Sequence, residues 1–247
     1  MEWQDFWAGL VLRLRASSTP GQTPQTGWLL AAAGVALACL LVPALWRHVR
    51  TVVTVVHEAG HALVGVLCGR RFHGFVVKAD MSGETITSGR PTGLGRVATT
   101  AAGYPMPALV GAGTIAVTMQ GFAGLVLLVC GVLLIVVALH ARSWYTGFTL
   151  VVLIGLVCMM WWAGDAELQS AAVCGLGIFL VLGGWRQWFN VVRFGDRRQD
   201  PGVLASLTRI PAALWNASFA LVMAALTWFS GSMVMPQISD AAQALMP

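Results

Sequence analysis

The chain reads as an all-α polytopic membrane protein, with about seven transmembrane helices and one small β-hairpin on the cytoplasmic side after the second. Composition points there first: 57% of the 247 residues are apolar and only 10% are charged, whereas a soluble domain carries about 25% charged residues. Apolar stretches near spanning length then recur at roughly 28–46, 51–68, 95–118, 122–139, 146–163, 168–185 and 210–230. A single segment, 72–92, departs from this pattern and has the composition of strands joined by a turn.

Taken in order, residues 1–27 form an N-terminal helix and linker. "EWQDFWAGLVLRLR" puts Trp3, Phe6, Trp7, Leu10 and Leu14 on one helical face with Arg13 and Arg15 near its end, the pattern of a helix lying on a lipid surface. "ASSTPGQTPQTG" follows as a flexible linker. The membrane domain covers 28–231. In it, "GFVVKA" and "ETITS" read as strands, and "DMSG" between them carries turn chemistry. The third span opens "AAGYPMPALVGAG", where Pro105 and Pro107 must distort or break the helix early. Residues 232–247 are a C-terminal tail. No cleavable leader is expected, because Glu2 and Asp5 stand where its basic end and apolar core would be.

The net charge of +5 does not call for nucleic acid. If the N-terminus is cytoplasmic and every span crosses, all fifteen lysines and arginines except Arg47 and Arg50 fall on the cytoplasmic side, as the positive-inside bias requires. The expected orientation is N-in and C-out, with the bilayer as the partner of these charges. The five cysteines lie in or beside apolar spans with no CxxC pair, so they read as packing residues rather than a disulfide framework or a cysteine metal site.

Residues 51–62, "TVVTVVHEAGHA", set three strongly polar side chains in an otherwise apolar or small run. His57 and His61 are one helical turn apart, so both imidazoles share a face and can bind one metal ion. Glu58 lies about 100° around the helix, where it can reach a metal-activated water as general base. This is the H-E-x-x-H pattern. Zinc lowers the pKa of a bound water to about 7, and the carboxylate takes its proton as it attacks a carbonyl. An ionised side chain at mid-span costs about 2.5–3.5 kcal/mol on the insertion scale. Glu58 is the one acidic residue in the middle of any span. An interhelical hydrogen-bond network is the bland alternative; the spacing favours metal. His61 precedes Gly69 by eight residues, about 12 Å of helix, which sets the centre nearer the cytoplasmic face.

A catalytic zinc takes three protein ligands, and two histidines leave it one short. His48, His73 and His140 sit at span ends, Asp80 in the hairpin turn, and Asp165 and Asp240 on the outer side. Asp196 and Asp200 remain, in "RFGDRRQDPGVLASLTRIPAALW". Asp196 stands among arginines and suits a surface ion pair. Asp200 precedes Pro201 and suits a helix N-cap, at the mouth of a helix that can run on into the seventh span.

The block "HEAGHALVGVLCGRRFHGFVVKADMSGETITSG…AAGYPMPALVGAG" resembles the M50 intramembrane metallopeptidases, the site-2-protease class, and within it the M50B-like bacterial branch. "DPGVLASLTRIPAALW" is similar to that branch's aspartate-led segment before a final helix. The resemblance implies Zn2+ held by His57, His61 and Asp200, with Glu58 as catalytic base. It also implies an integral protein of a bacterial plasma membrane. The substrate would be a membrane-anchored protein such as an anti-sigma factor, unwound and paired along the hairpin edge. The NPDG-like or LDG motif and the GPxxN asparagine of better-known members are absent from this chain. The expected function is intramembrane proteolysis. The alternatives are a non-catalytic zinc-binding membrane scaffold and a metal or solute transporter.

Overall fold

The computed structural model describes residues 3–78, 80–194 and 197–244. The elements run α1 (Trp3–Ser18), α2 (Thr26–Leu41), α3 (Pro43–Leu67), β1 (Arg71–Val77), β2 (Gly83–Ser88), α4 (Leu94–Ala101) and α5 (Pro105–Thr118). They continue as α6 (Ala123–Ala138), α7 (Trp144–Ala163), α8 (Ala166–Phe194), α9 (Asp200–Thr208) and α10 (Ala212–Ala244). Prolines set several boundaries. Val42 is extended before Pro43, as a residue preceding proline prefers, and Pro43 and Pro105 stand at the first positions of α3 and α5. Side chains start two others: Ser143 Oγ accepts from Thr146 N at 3.1 Å and Asp165 Oδ1 from Leu168 N at 2.7 Å.

α8 is the central helix. In its most apolar stretch 67% of the residues are buried, against 11% for α7, whose side chains face outward. Ala36, Leu40, Trp46 and Val53 pack on Phe179 and Leu180 of α8 on one side. Leu29 and Ile115 meet Cys174 and Val181 on another. Cys174 is buried, whereas Cys68 and Cys158 are exposed; all five cysteines are free.

The two ends of the bundle are distinct. At one, β1 and β2 pair antiparallel from Arg71↔Ser88 to Val77↔Gly83, with an irregularity between Phe72 and Gly74. The hairpin is fastened to the α6–α7 turn by Phe75 N to His140 O (3.3 Å), Arg142 N to Phe75 O (3.2 Å) and Val77 N to Thr146 Oγ1 (2.8 Å). At the other end Gly21 N donates to Gly121 O (2.8 Å), Arg13 Nη1 to Gly164 O (3.1 Å) and Thr26 Oγ1 to Gln237 O (3.2 Å).

Three expectations change here. First, among the described residues three helices are long and apolar enough to cross a membrane (α7, α8 and Ala212–Ser239 of α10), or four if α2 and α3 form one span. α5 and α6 are shorter. Second, α3 is not a simple return crossing: the chain turns by 103° between α2 and α3, because Pro43 removes the hydrogen bond that would continue α2. Third, α1 lies at the end opposite the hairpin rather than on the same side. Phe6 stacks on Trp162 at 5.6 Å, and Trp161 Nε1 donates to Ser17 Oγ at 2.8 Å. Beyond these, α10 continues as helix past residue 231, and Asp196 lies outside the described residues.

Candidate metal centre

α3 carries His57, Glu58 and His61 on its inner side. His57 and Glu58 are buried, and Val53 and Val55 beside them belong to the core. Helical spacing brings the two imidazoles together: Nε2 of His57 and Nε2 of His61 are 3.2 Å apart. Asp200 comes from a distant part of the chain. Its Oδ2 lies 3.3 Å from each of these nitrogens. Sequence reasoning allowed Asp200 to be an N-cap. In the structure Gln199 holds that position, Asp200 opens α9, and its carboxylate turns to the histidines. The long helix expected from Asp200 into the last span is interrupted, since α9 stops at Arg209 in the left-handed region (φ 61°) before Pro211.

The spacing of these donors can be tested against metal geometry. Tetrahedral sites have metal–donor bonds of about 2.0–2.2 Å, which separates neighbouring donors by about 3.3 Å. The observed 3.2, 3.3 and 3.3 Å match three corners of such a site. Hydrogen-bonding chemistry agrees. His61 Nδ1 is 2.7 Å from Thr99 O, a carbonyl that can only accept. That nitrogen therefore carries a proton, and in the neutral ring that a metal needs the Nε2 lone pair faces inward. Among the described residues Asp200 Oδ2 is buried with no partner besides these two nitrogens. A divalent ion among the three atoms would take a lone pair from each of them. His57, His61 and Asp200 can hold a metal ion.

The helix break that the prolines impose between α4 and α5 belongs to this centre. A Cβ on Gly103 would lie 2.6 Å from His57 Nε2 and from His61 Cε1, so the backbone passes the imidazoles where no side chain fits. Tyr104, next along, is buried. Its ring stands edge-on to His57 with centroids 4.7 Å apart, and its hydroxyl donates to Gln199 Oε1 at 3.0 Å. Sequence reasoning took from "AAGYPMPALVGAG" the proline break and the family resemblance, and missed both residues as parts of the centre. The usable signal was a glycine and an aromatic residue directly before a helix-breaking proline.

The hairpin closes the other wall. Thr85 Oγ1 donates to Glu58 Oε2 at 2.5 Å. A Cβ on Gly83 would sit 2.5 Å from Glu58 Oε1, so β2 approaches the carboxylate through a glycine. Thr54 Oγ1 donates to Met81 O at 3.0 Å, tying the turn to α3. Together these elements enclose a polar-walled cavity of about 790 Å³ lined by His57, Glu58, His61, Asp200, Tyr104, Gln187, Asn190 and the arginines Arg50, Arg96 and Arg198, among others. The remaining candidates lie elsewhere or are otherwise engaged. His73 Nε2 meets Ser88 Oγ at 2.6 Å, and His140 Nδ1 meets Val136 O at 2.9 Å. Asp80 lines the cavity, but its carboxylate accepts from Ser82 N and Oγ.

An apolar helical bundle with a two-histidine, one-carboxylate centre and a glutamate in the same cavity has the layout of a membrane metallopeptidase. The sequence matches the family model "Peptidase M50B-like" over residues 30–230, from α2 to within α10, and the chain belongs to that family of M50 membrane metallopeptidases. No curated protein and no solved structure matches it.

Proposed function

We propose that this protein is a zinc-dependent endopeptidase that cleaves membrane-anchored proteins within or beside the bilayer. The observation that carries the reading is the tetrahedral spacing of the His57, His61 and Asp200 donors in a cavity that also contains Glu58. Two imidazoles and a carboxylate suit zinc. Bound there, zinc supplies Lewis acidity that polarises a carbonyl and acidifies a water. Glu58 is the chain's proton carrier: it takes the proton from water and delivers it to the leaving amine. Thr85 holds one of its oxygens and so orients the carboxylate. β2 borders the cavity and pairs with β1 along one edge. An unwound substrate strand laid beside it would present its carbonyls to the centre.

The host membrane would be a bacterial plasma membrane, and an anti-sigma factor is a substrate of the right kind. The hairpin end holds every basic residue except Arg13 and Arg15, so the positive-inside bias turns that end to the cytoplasm. Because α1 packs at the opposite end, the N-terminus then lies outside, with the bias as strong as under the N-in reading.

The test is proteolysis of a membrane-anchored reporter by purified wild type and Glu58→Gln. Removing a general base costs about 10²–10⁴-fold in rate, so the variant should lose cleavage by that factor while keeping its metal. Equal cleavage by the two proteins overturns the enzymatic reading and leaves a zinc-holding scaffold. Metal flux into liposomes without cleavage would instead make it a transporter.

A further inference from the structure

The donor Asp200 is held less directly than the histidines. His57 and His61 are fixed by one rigid helix, and His61 is fixed again by Thr99 O. Asp200 sits at the start of the nine-residue α9, which ends in a left-handed residue before Pro211. Among the described residues its Oδ2 meets only the two imidazole nitrogens, and no donor from α9 or its own neighbours holds it. Something else must keep the carboxylate against the imidazoles.

Tyr104 touches both halves of the centre. Its ring is buried between His57 (4.7 Å between centroids) and Phe219 (5.9 Å), in a core cluster that includes Leu204 of α9. Its hydroxyl donates to the side-chain oxygen of Gln199, the residue immediately before Asp200. The Gln199 side chain makes no cap bond to α9, so this amide oxygen serves the tyrosine rather than the helix. The chain thus has a bracket: ring on His57, hydroxyl on the residue adjoining Asp200.

We propose that Tyr104 is a positioning residue whose hydroxyl, through Gln199, holds Asp200 on the His57–His61 face and thereby sets the affinity of the centre for its metal. This rests on the metal-binding reading above. Outer partners that orient a ligand are worth about 10–100-fold in metal affinity.

Zinc affinity of the full-length protein in detergent, measured by competition with a chromophoric chelator, tests the bracket. The cobalt(II) absorption spectrum reports the ligand set independently. Tyr104→Phe keeps the ring and removes only the hydroxyl. It should weaken zinc by about 10–100-fold and shift the cobalt spectrum toward that of Asp200→Ala. Gln199→Leu, at an exposed position, should reproduce both effects, and the double variant should be no weaker than either single one, as coupled partners require. A merely structural tyrosine would leave the cobalt spectrum unchanged. Wild-type affinity and spectrum in Tyr104→Phe or Gln199→Leu, or losses that add in the double variant, would overturn the proposal. Should wild type itself take up neither zinc nor cobalt, the metal reading fails and the bracket with it.

Discussion

Two imidazole nitrogens and a carboxylate oxygen stand within 3.3 Å of one another on the cavity wall, the spacing of donors around a single tetrahedral ion. At the scale of single residues the centre is therefore spaced to receive a divalent ion. Two outcomes follow. Asp200→Ala removes one donor of three and should weaken zinc far more than Tyr104→Phe does, read by the same chelator competition. Gly103→Ala should also disable the centre, because its Cβ would fall 2.6 Å from both rings and force them apart. A loss on the order of 10–100-fold or more in affinity is expected, with the helical circular dichroism unchanged. Wild-type zinc binding by Gly103→Ala would show that the backbone does not pass as close as described.

At the scale of elements, the hairpin earns its place by reaching back to α3. Its turn is held by Asp80, which accepts from the Ser82 hydroxyl at 2.6 Å and from the Ser82 backbone at 2.9 Å. The Ser82 hydroxyl, then the Ser82 N–H, keep the Asp80 carboxyl below the usual carboxylate range, with Lys78 and Arg50 adding to the effect. A depressed folded pKa means the turn's stabilisation is full above the ordinary value of about 3.9. It is lost as pH falls through the lower folded value. The protection of the Ser82 and Gly83 amides, measured relative to their intrinsic exchange rates, should be constant at neutral pH and drop only in acid below that range. Asp80→Asn should make that protection pH-independent over the same window. Since Gly83 lies against Glu58, loosening this turn should also slow cleavage by a catalytically intact centre.

Over the whole molecule, α2, α5, α6, α7, α8 and α10 run between two chemically unlike ends. One end carries the hairpin and nearly all the cations; the other carries α1 and the C-terminal part of α10. The orientation proposed above, with the hairpin end inward, makes a prediction at this scale. In a cysteine-free background, Thr19→Cys should react with a membrane-impermeant maleimide in intact cells. Arg90→Cys should react only after permeabilisation. The reverse pattern would place the centre at the outer face and discard the positive-inside assignment for this chain.

Local chemistry was readable from residue order. Apolar runs mark helices because lipid and core alike exclude backbone polar groups left unpaired. His57 and His61 share a face because 3.6 residues make a turn, and the strands, their turn and the proline break were legible for the same local reasons. The rest depended on distance in space rather than along the chain. Whether Asp200 caps a helix or faces two imidazoles is undecided by its neighbours, and only the docking of α9 against α4 and α10 settled its direction. The side on which α1 packs turned on a 103° bend at Pro43, since a proline announces an interruption but not the angle after it. Gly103 and Tyr104 drew no notice beside the prolines until the imidazoles stood next to them. Periodicity is a property of one helix; a centre assembled from α3, the α4–α5 break and α9 is a property of how three elements meet.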